Sequence, residues 1–322
     1  ADEAPVGTPA DDYDVLITID DEDGGVAEFT QTITVNNVAP EILIIDDGST
    51  ETEIRVRAVV TDVPGDPVTY NWTVNNLTPA GVVTDTNTLV LDRSQYQGFL
   101  TIEVLVTDDD NETSGLQALF VGGSNDTDTI TVAPTADITD PEEAVTVSIQ
   151  SGTESITGDF VPTGAIVISG VGSNDTIIVD AFVTAPTAIS GGEGDDTITS
   201  GGGNDYIDGG PGNDNIVGGA GDDSMISAEG DDTLEGGSGN DSTFIAGFSD
   251  KTLVDEDGAD GGIDTIDFSL VPESSIADEG VTLDLSLSDG QVQTVRSDGK
   301  VSLKGTFENV NGTSYNDSLS GN

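Results

Sequence analysis

The chain has 322 residues and sets 62 acidic side chains against seven basic ones, a formal charge of −55. A surface of this sign repels nucleic-acid phosphates and anionic membranes, so nucleic acid is not expected as a partner. Cysteine and histidine are both absent, which removes disulfides, thiolate metal sites and the commonest general base.

The basic residues are Arg55, Arg57, Arg93, Lys251, Arg296, Lys300 and Lys304, and none lies between Arg93 and Lys251. Such a chain attracts cations. Acidic sequences with few aromatics are often disordered, but here valine, isoleucine, leucine and threonine fall into patterned runs. Alternation and Gly/Asp/Asn/Pro punctuation predict an all-β protein. No apolar run approaches the length of a membrane span, so direct membrane insertion is not expected. No signal peptide is recognisable, and the chain starts at Ala1; processing or excision from a longer precursor is the expectation.

In residues 1–38, YDVLITI and VAEFTQTITV alternate around DDEDGG and predict a hairpin, with NNVAP as the following linker. Residues 39–117 hold the runs EILII, EIRVRAVVTD, VTYNWTV and LTIEVLVTDDDN. Val15, Ile17, Ile19, Asp21 and Asp23 repeat as Ile102, Val104, Val106, Asp108 and Asp110, at a constant offset of 87 residues. That offset suits one β-sandwich. The NNVAPEI entry, the YNWTV strand with Trp72 and the TDDDN strand end resemble the PKD and cadherin-like family of extracellular Ig-like modules. Trp72 reads as a core tryptophan. Residues 1–38 then supply only the last two strands of a module, and something else is expected to complete that sheet, because a lone hairpin is marginal in water.

Residues 118–190 form a degenerate solenoid lead-in. GGSNDTDTITV and GVGSNDTIIVD look like worn copies of the clean repeat that follows, with AVTVSIQ and GAIVISG between them. Residues 191–244 are six nine-residue units: GGEGDDTIT, SGGGNDYID, GGPGNDNIV, GGAGDDSMI, SAEGDDTLE and GGSGNDSTF. Residues 245–322 continue with DTIDFS, GVTLDLSLS and FENVNGTSYNDSLSGN, the last opening a further repeat.

Every unit has aspartate in its sixth place: Asp196, Asp205, Asp214, Asp223, Asp232 and Asp241. The eighth places, Ile198, Ile207, Ile216, Met225, Leu234 and Thr243, point inward from a short strand, and the preceding glycines shape a turn. The pattern G-G-x-G-x-D-x-U-x resembles the RTX (repeats-in-toxin) nonapeptide of calcium-binding β-rolls. The resemblance implies a parallel β-roll with two units per turn. Units starting at Gly191, Gly209 and Ser227 then share one edge, and those starting at Ser200, Gly218 and Gly236 share the other.

Turns stacked about 4.8 Å apart would set carboxylate against carboxylate. Calcium resolves this, because it accepts six to eight oxygen ligands, backbone carbonyls among them, whereas zinc asks for histidine or cysteine. Several Ca2+ ions are the expected cofactor. Besides the six aspartates, loop oxygens are expected from Gly191, Glu193 and Asp195, from Gly209, Pro211 and Asn213, and from Gly218, Ala220 and Asp222. The worn copies at Asp175 and Asp317 extend the set. Ser200, and Ser227 with Ala228, replace consensus glycines, so their loops are expected to bind more weakly or to cap the roll. A second acidic set, Asp20, Asp23, Asp62, Asp108 and Asp110, reads equally as strand-end calcium ligands or as exposed polar turns.

Without histidine or cysteine, and with 15 aromatics spread along the chain, catalysis is not expected. The leading expectation is an extracellular calcium-binding structural segment of a bacterial surface protein, adhesin or matrix type, that folds and rigidifies on binding Ca2+. Its expected partners are calcium and copies of itself, other surface proteins or polysaccharide. The alternatives are a filament protomer joined head-to-tail by strand complementation, and the accessory or secretion region of a secreted enzyme.

Overall fold

Each run singled out by its β-branched residues is a strand in the computed structural model. It describes residues 10–20, 26–36, 40–61, 67–75, 86–96, 99–108, 113–135, 144–247, 249–255, 262–271, 281–286, 292–296, 299–305, 307–315 and 317–320. In chain order the strands begin with β1 (Ala10–Asp20), β2 (Val26–Asn36), β3 (Glu41–Asp46), β4 (Glu53–Thr61), β5 (Thr69–Val74), β6 (Thr88–Asp92), β7 (Leu100–Thr107) and β8 (Thr113–Gly122). Next come β9 (Asp128–Pro134), β10 (Val145–Ser151), β11 (Glu154–Phe160), β12 (Ala165–Ser169), β13 (Thr176–Val179) and β14 (Thr187–Ser190). The clean repeats supply β15 (Thr197–Thr199), β16 (Tyr206–Asp208), β17 (Asn215–Ala220), β18 (Ser224–Ser227), β19 (Thr233–Ser238) and β20 (Ser242–Ile245). The chain continues with β21 (Asp250–Val254), β22 (Thr265–Asp267), β23 (Thr282–Asp284), β24 (Val292–Arg296), β25 (Gly299–Lys304), β26 (Asn309–Asn311) and β27 (Ser318–Ser320). A single 3-10 turn at Arg93–Gln95 is the only helical element among the described residues, and no helix there is long and apolar enough to cross a membrane.

Successive strands of the repeat region alternate between two ten-stranded sheets. One runs β11-β10-β9-β13-β15-β17-β19-β21-β25-β24, the other β26-β22-β20-β18-β16-β14-β12-β8-β7-β5. Strands two units apart are parallel neighbours, so one coil of the roll takes two nonapeptides. In one sheet the register stacks Ile130, Ile177, Ile198, Ile216, Leu234, Leu253 and Leu303. In the other it stacks Ile168, Ile189, Ile207, Met225, Thr243 and Ile266. These side chains fill the space between the sheets. Each aliphatic one contributes about 1.5–3 kcal/mol of burial. The hairpin β10–β11 extends one sheet antiparallel at its first edge, and β24 folds back on β25 at the other.

A second core lies outside the roll. The sheet β3-β4-β6 covers β5, β7 and β8 around Trp72, Leu89, Leu91, Leu100, Ile102 and Phe120. The Trp72 indole Nε1 donates to the Thr86 carbonyl at 2.8 Å, which satisfies its one donor. Strand β8 pairs antiparallel with β7 and parallel with β12, so the sandwich and the roll share one continuous sheet. Alternate residues of β8 serve the two cores: Ala118 and Phe120 face the sandwich, Leu119 and Val121 the roll interior. Val167 of β12 and Ala188 of β14 likewise face the sandwich, while their neighbours Ile166, Ile168 and Ile189 face inward. Burial on both faces is why LQALFVG and GAIVISG read as continuous apolar runs.

Hairpin β1–β2 forms a sheet of its own among the described residues. Its register, with Val15 opposite Gln31, is that of β7–β8, with Ile102 opposite Ala118, at the same offset of 87.

Candidate metal ladders in the roll

The sixth-place aspartate closes each turn as the chain enters a strand, and its Oδ1 accepts an N–H from the coil before. Along one edge, Asp128 N donates to Asp175 (2.8 Å), Asp175 N to Asp196 (2.7 Å), Asp196 N to Asp214 (2.9 Å) and Asp214 N to Asp232 (3.0 Å). Along the other, Thr187 N donates to Asp205 (2.7 Å), Asp205 N to Asp223 (2.9 Å), Asp223 N to Asp241 (2.9 Å) and Asp241 N to Asp264 (2.8 Å). Asp264 N completes this edge with a bond to Glu308 Oε2 at 2.8 Å. These bonds link coils and are not Asx-turns within one unit. They explain the strict register of the aspartates, because each one supplies the acceptor for the backbone of the neighbouring turn.

The second carboxylate oxygen is a different matter. Oδ2 of Asp175, Asp196, Asp214, Asp223 and Asp241 is buried without a hydrogen-bond donor. An ionised carboxylate in that state is costly. Burial therefore pushes Asp175 up to about 8, and the charges of Asp196 and Asp128 add to it. Burial likewise brings Asp196 to about 6 and Asp214 and Asp223 to about 7. Asp205 and Asp241 are raised for the same cause.

Within the six clean repeats, whether Oδ2 has a donor follows the first residue of the unit. With glycine there, the space beside Oδ2 is too tight for a methyl group unless a neighbour shifts: a Cβ on Gly218 would lie 2.6 Å from both Asp223 Oδ2 and the Gly236 carbonyl oxygen. With serine there, the hydroxyl donates to the carboxylate, Ser200 to Asp205 Oδ2 and Ser227 to Asp232 Oδ2 at 2.6 Å. One turn already holds a cation. Lys251 Nζ, with its side chain 1% exposed, lies 2.6 Å from Asp232 Oδ2 and from the carbonyl oxygens of Ala228 and Gly230.

Calcium fits these ladders. The donor set is all oxygen, a carboxylate oxygen remains unpaired in each glycine-led turn of the clean repeats and at Asp175, and a positive group occupies the equivalent place where one is available. Among the described residues no three acidic side chains converge, so backbone carbonyls must supply the greater part of any coordination shell.

Several expected ligand residues are tied to neighbouring coils through their backbones. Gly194 N donates to the Pro211 carbonyl at 3.0 Å, and Glu193 N to that of Val171 at 3.2 Å. Ala220 N donates to the Gly201 carbonyl at 3.2 Å, and Gly191 N to that of Asp208 at 2.9 Å. Gly209 and Gly218, like Gly191, are buried first-place glycines packed against Oδ2 of the aspartate in their own unit. The exposed fifth-place side chains build an outer ladder of their own. Asn213 N and Nδ2 donate to Asp195 Oδ1 (2.8 and 3.0 Å), and Asp231 N donates to Asn213 Oδ1 at 2.8 Å. On the other edge Asn240 N and Nδ2 meet Asp222 Oδ1 (2.8 and 2.9 Å), and Asp222 N donates to Asn204 Oδ1 at 3.1 Å. Each edge thus alternates amide and carboxylate, with Asn174, Asp195, Asn213 and Asp231 on one and Asn204, Asp222 and Asn240 on the other. The alternation keeps like charges from stacking in adjacent coils.

Asp175 stands in the first ladder, as its worn repeat suggested. Asp317 lies apart from both ten-stranded sheets, on the β23–β27 pair, where its Oδ1 accepts from Val281 N and Thr313 Oγ1 at 2.8 Å. Of the second acidic set, Asp108 is buried just after β7 and Asp20 ends β1. Asp23, Asp62 and Asp110 lie outside the described residues.

Sequence reasoning passed over Asp128, Asp264, Glu308 and Lys251. For the two aspartates the triplet Asp-Thr-Ile was the available signal: it occurs at 128–130, 175–177 and 264–266, outside the clean repeats.

Residues 188–216 and 208–242 match the family description "RTX calcium-binding nonapeptide repeat (4 copies)". No curated protein and no solved structure matches the chain. RTX repeats bind Ca2+ in general and are typical of secreted proteins.

Proposed function

We propose that the chain is an extracellular structural segment, of the adhesin, surface or matrix type, whose roll folds and stiffens by taking up Ca2+ between its coils. The observation that carries this reading is the set of five buried Oδ2 atoms without a donor, at Asp175, Asp196, Asp214, Asp223 and Asp241. No lysine, arginine or histidine occurs between Arg93 and Lys251 to neutralise them. Those aspartates, with carbonyls of the glycine turns, hold the ions. Metal binding free energy then appears as folding free energy. The chain folds where calcium is plentiful, outside the cell, and self-repulsion opposes folding where calcium is scarce. In this reading residues 39–117 serve as a PKD- or cadherin-like spacer, joined to the roll by their common sheet. Equilibrium dialysis against Ca2+ with excess Mg2+ is the test: several tightly held calcium ions per chain support the reading, and none sinks it.

A filament reading draws on the hairpin. Strands β1 and β2 pair with each other in the register of β7–β8, yet β8 also pairs with β12, while neither strand of the first hairpin has such a neighbour among the described residues. A strand from a second copy would complete that edge. Sedimentation velocity with and without residues 1–38 decides it: self-association that survives the deletion excludes this hairpin as the joint.

A further inference from the structure

Lys251 is the first positive side chain after Arg93, and it enters the chain at the edge of a carboxylate ladder. Strand β21 pairs with β19 so that Thr252 lies opposite Thr233 and Leu253 opposite Leu234. That register sets Lys251 beside Asp232. The backbone agrees: Thr252 N donates to the Asp232 carbonyl as Thr233 N donates to that of Asp214, both at 2.8 Å. Lys251 therefore stands in the sixth place of the next coil, where the ladder had carried aspartate.

An ammonium has three donors and no acceptor. Here all three are used, on the carbonyls of Ala228 and Gly230 and on Asp232 Oδ2, each at 2.6 Å. These are the second, fourth and sixth places of one unit. The same places of the preceding coil are Gly210, Gly212 and Asp214, and of the one before, Gly192, Gly194 and Asp196, where Oδ2 has no donor. Exchanging aspartate for lysine removes one of the two carboxylates facing the gap between coils, and leaves a single negative charge for a single positive one.

We propose that Lys251 is a built-in cation that ends the calcium column: its ammonium takes the place that calcium takes between the earlier coils. The coils closed by Asp175, Asp196 and Asp214 load metal on this edge, and the coil closed by Asp232 is stapled without it. This rests on the calcium reading above. It also assigns the second- and fourth-place carbonyls as the cation-facing oxygens.

The test compares the parent chain, Lys251→Met, and the double variant Ser227→Gly with Lys251→Asp, which restores the repeat consensus. Bound calcium is counted by equilibrium dialysis, and thermal unfolding is followed in EDTA and in calcium. The double variant is expected to hold one more Ca2+ than the parent, to unfold at a lower temperature in EDTA and to recover in calcium. Lys251→Met is expected to keep the parent's calcium count and to unfold at a lower temperature in both solutions. A parent that binds several ions while the folded double variant adds none overturns this inference alone. A parent that binds none overturns the calcium reading and this inference with it. Should the double variant not fold, Lys251→Met decides, and melting identical to the parent's overturns the proposal.

Discussion

The sandwich buries Trp72, Leu89, Leu100 and Phe120 in one cluster, whereas each clean repeat of the roll contributes one inward eighth-place side chain and each turn buries an aspartate beside it. The first arrangement needs no charge neutralised in its core, which is apolar apart from the satisfied Trp72 indole. The second has a core one residue thick, set against a column of carboxylates that burial keeps well above their ordinary range. Two neighbouring regions of one sheet thus depend on different conditions: one on apolar area, the other on whatever neutralises its charge.

That difference can be broken with protons. Asp175, Asp196, Asp214 and Asp223 have folded-state values of about 6 to 8 against an ordinary 3.8. A raised value means that the folded form binds protons more tightly than the unfolded one, so the stabilisation is complete below about pH 4 and is lost as pH rises through 6 to 8. In EDTA the roll should therefore gain strand content on acidification, followed by circular dichroism between pH 8 and pH 4.5. In calcium the trend reverses, because protons compete with the metal for the same oxygens. Equal pH dependence in both solutions would contradict this account.

Trp72→Ala attacks the other side of the comparison. It should cost about 3–5 kcal/mol by chemical denaturation while leaving the number of bound calcium ions unchanged. Asp214→Asn separates the two roles of a ladder residue. The amide keeps an acceptor for the Asp196 N–H and removes the buried charge. In EDTA the variant should be more stable than the parent by about 1–3 kcal/mol, and in calcium less stable with one ion fewer, read from thermal melts alongside dialysis. The smallest effect belongs to Asn213→Asp, which places three carboxylates in succession between Asp195 and Asp231 on the exposed ladder. It should cost about 0.2–1 kcal/mol and fade in high salt, which screens exposed charges.

Much of this was legible in the residues. The nine-residue period and its sixth-place aspartates stand in the sequence; two units per coil and the alternation of edges were what the RTX resemblance implied, and the eighteen-residue pairing of the strands agrees with it. The offset of 87 gives matched hairpins. Other features depended on the third dimension. Phe120 and Leu119 are adjacent in sequence but belong to different cores, and no period distinguishes a strand shared by two cores from one buried in a single core. Lys251 was hidden for another reason: one extra residue separates it from the eighteen-residue spacing, so it reads as a stray positive charge until the pairing of β21 with β19 aligns it. The alternation of Asn and Asp in fifth place was visible, but only when every second unit is compared.

The central claim, that calcium is the missing positive charge of the roll, is tested most directly by titrating the purified chain from EDTA into excess calcium, with magnesium as control. Far-UV circular dichroism and sedimentation velocity would be followed together. The account predicts strand signal and compaction gained with calcium and not with magnesium. A chain equally compact and equally structured in EDTA at pH 8 would contradict it.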